Sequence, residues 1–259
     1  MDSIKLAKLH LVGMIPEAHL PGYDERTFRD LLIQRVKLGK SIANTKNSII
    51  GYLKREDLYS SLPKTEDTFS SRRRKAIRSI SFGNARDLVF SSLMDRLEMY
   101  ERQALRFEEE IKKSARPNED IRILMSIPGV DFYLASLLSS YIGKVERFPD
   151  PDRLAVFFGI VPATRDSSSI KRRGHMSKEG SASARWVLSM AVDTIMLRNK
   201  AIGEYYASAK ERKQSGKLAH VLTMRKLIRM IYKMPSERRL WKYDNPALTE
   251  SKLERLDKE

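Results

Sequence analysis

The stretch "DLVFSSLMDRLEMYERQALRFEEEIKKS", Asp87 to Ser114, decides the fold. Leu93, Leu97, Tyr100, Ala104, Phe107 and Ile111 alternate steps of four and three, the spacing that holds one apolar stripe along a helix. Upstream, the same spacing places Phe28, Leu31, Leu38, Ile42, Ile49 and Tyr52 on one face, with Arg35 and Thr45 as its polar exceptions. This predicts a second long helix from an N-cap at Asp24 to about Arg55. Two such helices imply an antiparallel hairpin or an intermolecular coiled coil. Between them, "SSLPKTEDTFSSRRRKAIRSISFGNA" predicts a loop and a short helix at the hairpin tip. Its "RRRK", Arg72 to Lys75, is either a solvated connector or a nucleic-acid contact.

The 259 residues carry 49 Lys+Arg against 33 Asp+Glu, a formal charge of +16. Self-repulsion on that scale points to a polyanionic partner, and nucleic acid leads, because phosphate neutralisation releases counterions. No cysteine is present, which excludes disulfides, thiolate zinc sites and cysteine nucleophiles. His10, His19, His175 and His220 have no metal-ligand spacing. No run of about 18 apolar residues exists and the amino terminus lacks a signal-peptide pattern, so no membrane partner is expected and the location expected is cytoplasmic, on the nucleoid.

The expected class is mainly α, a long helical hairpin followed by a compact helical domain. Residues 1–23 hold one short helix and a loop broken at Gly13, Pro16, Pro21 and Gly22. The hairpin occupies 24–116, the compact region 117–243, and a polar tail, read as a frayed helix, 244–259. "RLAVFFGIVP" (Arg153–Pro162) has room for one short strand. Beyond it, Ser181 or Ser183 caps a helix whose inner face holds Val187, Met190, Ala191 and Ile195, and Trp186 belongs with that core. From Arg198 to Lys233, ten Lys/Arg face two acids, on two amphipathic helices broken at Gly216. His220 reads as a core or boundary histidine.

"ILMSIPGVDFYLASLLSSYIG", Ile123 to Gly143, resembles the helix-hairpin-helix motif, in which glycine lets the backbone meet a DNA phosphate. Asp131 stands where a second glycine is usual and caps the helix or repels phosphate; Gly129 is the candidate contact. The order of features then carries more than any one of them: "SIPGV", "YIGKVERF", "LAVFFGIVP", "DSSS", "KRRGHMSKEGSASAR", and a helix through "WVLSMAVDTIM". This succession resembles the C-terminal transposase domain of the insertion-sequence-110 family of DEDD-type transposases. "DSIKLAKLHLVGMIPEAHLP" is similar to the family's segment joining its RuvC-like domain to its coiled coil.

The resemblance implies four metal-binding acids for Mg²⁺, a serine that attacks a DNA phosphodiester and holds the strand as phosphoserine, and a bridge RNA that guides target choice. It maps the nucleophile to Ser167, with Ser168 as the rival because Ser168 and Ser169 stand where glycines are usual. Asp2 maps to the last of the four acids, so this stretch carries an incomplete metal site, and a lone carboxylate holds Mg²⁺ poorly. The missing acids belong upstream, or to a separate chain, or the sequence is a truncated relic. Chemically, Lys171, Arg172, Arg173, Lys178 and Arg185 suit a clamp on a phosphoryl transition state, and Gly174 and Gly180 allow close backbone approach. A homo-oligomer, dimer or tetramer, is expected through the coiled coil. The rivals are a non-catalytic helix-hairpin-helix DNA-binding protein and a structural coiled-coil protein.

Overall fold

The computed structural model describes residues 2–11, 20–167, 170–176, 180–242 and 245–258, with Asp2, Leu6, 162–167 and 170–175 described by backbone. It is mainly α. An exposed helix α1 (Asp2–Leu11) precedes the long α2 (Tyr23–Arg55), the short α3 (Ser71–Arg78) and the long α4 (Arg86–Ala115). The compact part follows: α5 (Glu119–Met125), α6 (Phe132–Ile142), α7 (Pro151–Phe157), a hairpin of β1 (Pro162–Ser167) and β2 (Ile170–Met176), then α8 (Ala182–Arg198), α9 (Lys200–Lys213), α10 (Gly216–Ser236) and α11 (Pro246–Asp257).

α2 and α4 run antiparallel, as the order of their cross-links shows. Arg35 donates to Glu108 at 2.9 Å, Lys46 lies 3.4 Å from Glu101, and Arg86 donates to Glu56 at 2.7 Å. Leu97, Ala104 and Ile111 of the α4 stripe are buried, while Leu93, Tyr100 and Phe107 are half-buried. Of the two polar exceptions, Thr45 returns its hydroxyl to the Ser41 carbonyl at 2.8 Å, and Arg35 also lies over the Tyr133 ring. Loss of solvent there pushes the Tyr133 hydroxyl up to about 12. The helix starts one residue earlier than Asp24 because Gly22 is its N-cap; the Glu25 carboxylate accepts from the Gly22 amide at 3.1 Å.

The pair reaches into two separate cores. At its base, Leu32, Ile111 and Ala115 join the main core with Ile127, Leu137, Leu154, Leu188, Leu227 and others. At the far end, α3 and its flanking loops close over Ile49, Leu53, Phe69, Ile77 and Leu97. There Tyr52, Phe82 and Phe90 form a ring cluster with centroids 5.4–5.5 Å apart.

The "RRRK" run divides its residues. Arg73 is buried over the Tyr59 ring, and Arg74 grips both Glu101 oxygens at 2.6 Å, while Arg72 and Lys75 are exposed. The Arg74 guanidinium holds the Glu101 carboxyl below the usual range. A depressed acid stabilises above its unfolded value and loses that contribution as pH falls through its folded one. Acidification below about pH 4 should therefore loosen the tip before the base, by about 1 kcal/mol. Amide exchange in α3 at descending pH, compared with Glu101→Gln, checks this; an unchanged pH profile in the variant would refute it.

Three expectations change. "RLAVFF" is helical, because Asp150 caps it, accepting from the Arg153 amide at 2.8 Å, and Pro151 presets the first turn. Trp186 is 41% exposed rather than in the core, although its neighbours Ala184, Val187 and Leu188 are buried. The carboxyl tail is a docked helix and not a frayed one. Lys252 donates to the Met125 and Ile127 carbonyls at 2.7 and 3.0 Å, Arg116 to that of Leu256 at 2.8 Å, and Leu256 is fully buried. Among the described residues no helix is long and apolar enough to cross a membrane.

Candidate nucleic-acid interface

The β-hairpin carries the predicted nucleophile, and its foot is built by two glycines. α7 ends in a reversal: Gly159 takes a left-handed φ of +64°, its amide bonds the Val156 carbonyl at 2.8 Å, and Ile160 reaches back to Ala155 at 3.1 Å. The chain then leaves as β1. It returns from β2 to Gly180, whose α-carbon lies against that reversal; an added Cβ would stand 2.2 Å from the Phe157 oxygen and 2.5 Å from the Gly159 nitrogen. The Ser181 amide bonds the Phe157 carbonyl at 3.2 Å, and Arg185 donates to the Phe158 carbonyl at 3.3 Å. A cation at a helix carboxyl end suits the dipole there. Both ends of the hairpin are thus fixed to one end of α7, and Ser181 caps α8 on the Ala184 amide at 3.3 Å.

Those contacts leave no room for a side chain at Gly180. Gly180→Ala should lower stability by at least about 3 kcal/mol, roughly 6–12 °C in melting temperature. Gly51→Ala, near the carboxyl end of α2 with open space around it, should instead stabilise by up to about 1 kcal/mol. Thermal melts of the two variants check the pair, and an unshifted Gly180→Ala melt would refute the packing.

Within the hairpin, the ladder pairs Ser167 with Ile170, Asp166 with Lys171, Arg165 with Arg172 and Thr164 with Arg173. Ser167 closes β1, and the Lys171–Arg173 backbone begins one residue past its partner, within about 10 Å. Arg165 and Arg172 occupy directly opposed positions in the ladder. Gly174 and His175 oppose Ala163 where the register slips, so Gly174 lies in a bulge. Ser168, Ser169 and Lys178 lie outside the described residues, and Asp2 is placed by its backbone alone, at the start of α1.

The helix-hairpin-helix-like turn is already occupied by protein. Gly129 has φ +94°, and a Cβ there would lie 3.0 Å from Arg198 Cβ and 3.1 Å from the Thr194 carbonyl, so the glycine lets α8 approach. Asp131 caps α6, accepting from the Leu134 amide at 2.8 Å, and Ser126 accepts from the Trp241 amide at 2.9 Å.

A second basic feature lies on the two carboxyl-half helices, where the sequence predicts amphipathic helices with a basic outer face suited to a phosphate backbone. α9, α10 and the segment after α10 border a groove of about 500 Å³, lined by Tyr205, Arg225, Lys226, Arg229, Lys233 and Arg239 among others. Lys226 stands 4.0 Å from the Tyr205 ring centroid. Asp152 meets Arg225 and Arg229 only at 3.8 and 3.7 Å, and Glu237 binds Arg239 at 2.5 Å. The i, i+4, i+8 spacing of Arg225, Arg229 and Lys233 was the available signal; Arg239 and Tyr205 join it only through folding. Deeper between α8 and α10, half-buried His220 contacts Ser189 at 2.9 Å and lies 3.6 Å from Asp193. Ser189 and Asp193 both sit within α8, whose amides bond along the helix and so form no oxyanion hole for that hydroxyl. Among the described residues no three His, Asp or Glu side chains converge as a metal site, and the donor set does not by itself fit Mg²⁺.

Residues 121–207, from α5 into α9, match the model of the IS116/IS110/IS902 transposase family. Curated relatives include a 44.8 kDa protein of insertion element IS116 from Streptomyces clavuligerus, 25% identical over 52% of this chain and 34% of its own length. The transposase for insertion sequence element IS1111A from Coxiella burnetii is 33% identical over 32% of this chain and 22% of its own. A 43.6 kDa protein of insertion element IS110 from Streptomyces coelicolor is 23% identical over 62% and 40%. The chain thus spans 22–40% of the length of these relatives. The matched segment, from α5 into α9, contains the β-hairpin and is similar to the IS116/IS110/IS902 family of transposases.

Proposed function

We propose that this chain is the serine-bearing part of an insertion-sequence transposase that transfers DNA strands, guided by a bridge RNA. The observation that supports it most is the hairpin fixed at both ends on α7, ending β1 at Ser167 with Lys171, Arg172 and Arg173 next along β2. In the proposed step the Ser167 oxygen forms a bond to phosphorus and the bond from phosphorus to the departing sugar oxygen breaks. That oxygen takes up the proton which the hydroxyl loses. The phosphodiester's energy is kept in the phosphoserine link, so rejoining needs no external energy source. Fixed cations beside the reacting phosphate stabilise the charge that gathers on it. The family's Mg²⁺ would need carboxylates beyond those described.

The α9–α10 groove fits a nucleic-acid backbone, and oligomers would form through the long helices, where Leu88, Val89 and Leu105 of α4 are exposed. A second reading, a DNA-binding protein without catalysis, draws on that same groove, which stands independently of Ser167. Peptide mapping separates the two. When the chain is incubated with DNA from the element's ends, its RNA and Mg²⁺, a covalent adduct should form, and digestion should leave the nucleotide on the peptide containing Ser167. An adduct elsewhere, or none, overturns the catalytic reading.

A further inference from the structure

We infer that the groove between α2, α6 and α8 seats one unpaired base of a DNA single strand, stacked on Trp186 beside the hairpin foot. Trp186 presents 41% of its surface to solvent on the second turn of α8, while the flanking Ala184, Val187 and Leu188 are 0–1% exposed. Its ring forms part of the wall of a groove of about 340 Å³, with Val36, Leu137 and Tyr141 as further apolar lining. That volume lies in the range of small-ligand sites, about 300–1,000 Å³, and a planar base is the aromatic group a nucleic acid would bring to it.

The rim matches a nucleotide's other half. Lys37 and Lys40 of α2 line the groove, no carboxylate does, and Lys40 stands 5.1 Å from the Trp186 ring centroid. Neither lysine takes part in an ion pair among the described residues. Ala182 and Ser183, from the first turn of α8, complete the opening, so the positive end of that helix faces the same mouth. An aromatic wall with cations beside it is how proteins hold single strands with little sequence preference. Paired bases would keep their faces covered by neighbours in the stack, and so the occupant is an unpaired one. An apolar helix from another protein would have no use for the lysine rim. Gly180, which closes the hairpin foot, precedes Ala182, the first groove residue on α8, by two positions, so the groove opens beside that foot. The inference rests on the strand-transfer reading for its choice of DNA.

The sequence contains two tryptophans, and the other, Trp241, is 7% exposed. The exposed emission therefore reports Trp186 in the unmutated protein. Titrating a short oligothymidylate should quench that emission and protect it from iodide. Trp186→Ala should weaken single-strand binding by about tenfold and leave duplex binding and the melting temperature as they are. Unchanged emission with bound single strand, or unchanged affinity in the variant, overturns the inference; the emission readout stands even if the variant fails to fold. So does quenching by the matching RNA but not DNA, or by raising protein concentration alone, which would mean a second copy fills the groove. If neither single-stranded nor duplex DNA binds at all, the strand-transfer reading falls with it; if duplex binds while Trp186 stays silent, only the base seat falls.

Discussion

Ser167→Ala should abolish covalent protein–DNA adducts, a loss of at least about 10³-fold, while DNA affinity and thermal stability stay unchanged. Ser167 is the last residue of β1, at a strand end. The binding surfaces on α10 and α2 lie on other elements. Ser168→Ala is the matching control: it should retain the adduct, because the ladder's last pair holds the Ser167 backbone. The reverse result, an adduct surviving in Ser167→Ala and lost in Ser168→Ala, would move the nucleophile one residue along. Survival in both would remove the serine chemistry altogether.

What the sequence made legible follows from which interactions leave a periodic trace. The α4 stripe, from Leu93 to Ile111, predicts a helix over Asp87–Ser114, and the helix spans Arg86–Ala115. Burial on one face forces that spacing, so the element can be read directly. "RLAVFF" offers no period to decide between helix and strand. Its helical state was written in the preceding Asp150-Pro151, a cap and a preset first residue, whose weight the apolar run obscured. The strands were missed because "ATRDS" and "IKRRGHM" lack apolar alternation; pairing between them, and a foot fixed on α7, hold them in place.

Glycines show a sharper limit. The sequence tells where a Cβ is unwelcome and not what approaches. Gly129 and Gly180 suggest close contact with DNA phosphate, yet the atoms that meet them belong to α8 and to the Gly159 reversal. Arginines divide in the same way. Arg74 and Arg185 are engaged by Glu101 and by the end of α7, whereas Arg229 keeps most of its surface in solvent. A run of positive charge therefore marks a basic face only after internal partners have claimed their share, and that subtraction requires the fold.

Applied to α10, the subtraction leaves a row of three cations whose removal should be the largest single loss of DNA affinity. Arg225, Arg229 and Lys233 repeat every four residues, and at 1.5 Å per residue they mark out about 12 Å of helix. The carboxylate facing two of them is Asp152, at 3.7–3.8 Å and itself 66% exposed, too loosely held to neutralise the row. Each phosphate contact contributes about 0.9 to the slope of log affinity against log salt. The triple variant to alanine should therefore flatten that slope by about 2.7 and weaken duplex binding about 100-fold near physiological salt. It should melt within a few degrees of the parent, because the relief of self-repulsion among like charges offsets the lost contacts with an exposed acid and the packing of the two-thirds-buried Arg225 side chain. Fluorescence anisotropy over a salt series gives both quantities at once. A parallel displacement of the line, with affinity reduced and slope unchanged, would mean that the row supports the structure without touching phosphate. An unchanged line would place the DNA on another face, and then the hairpin's own cations would have to account for all of the binding.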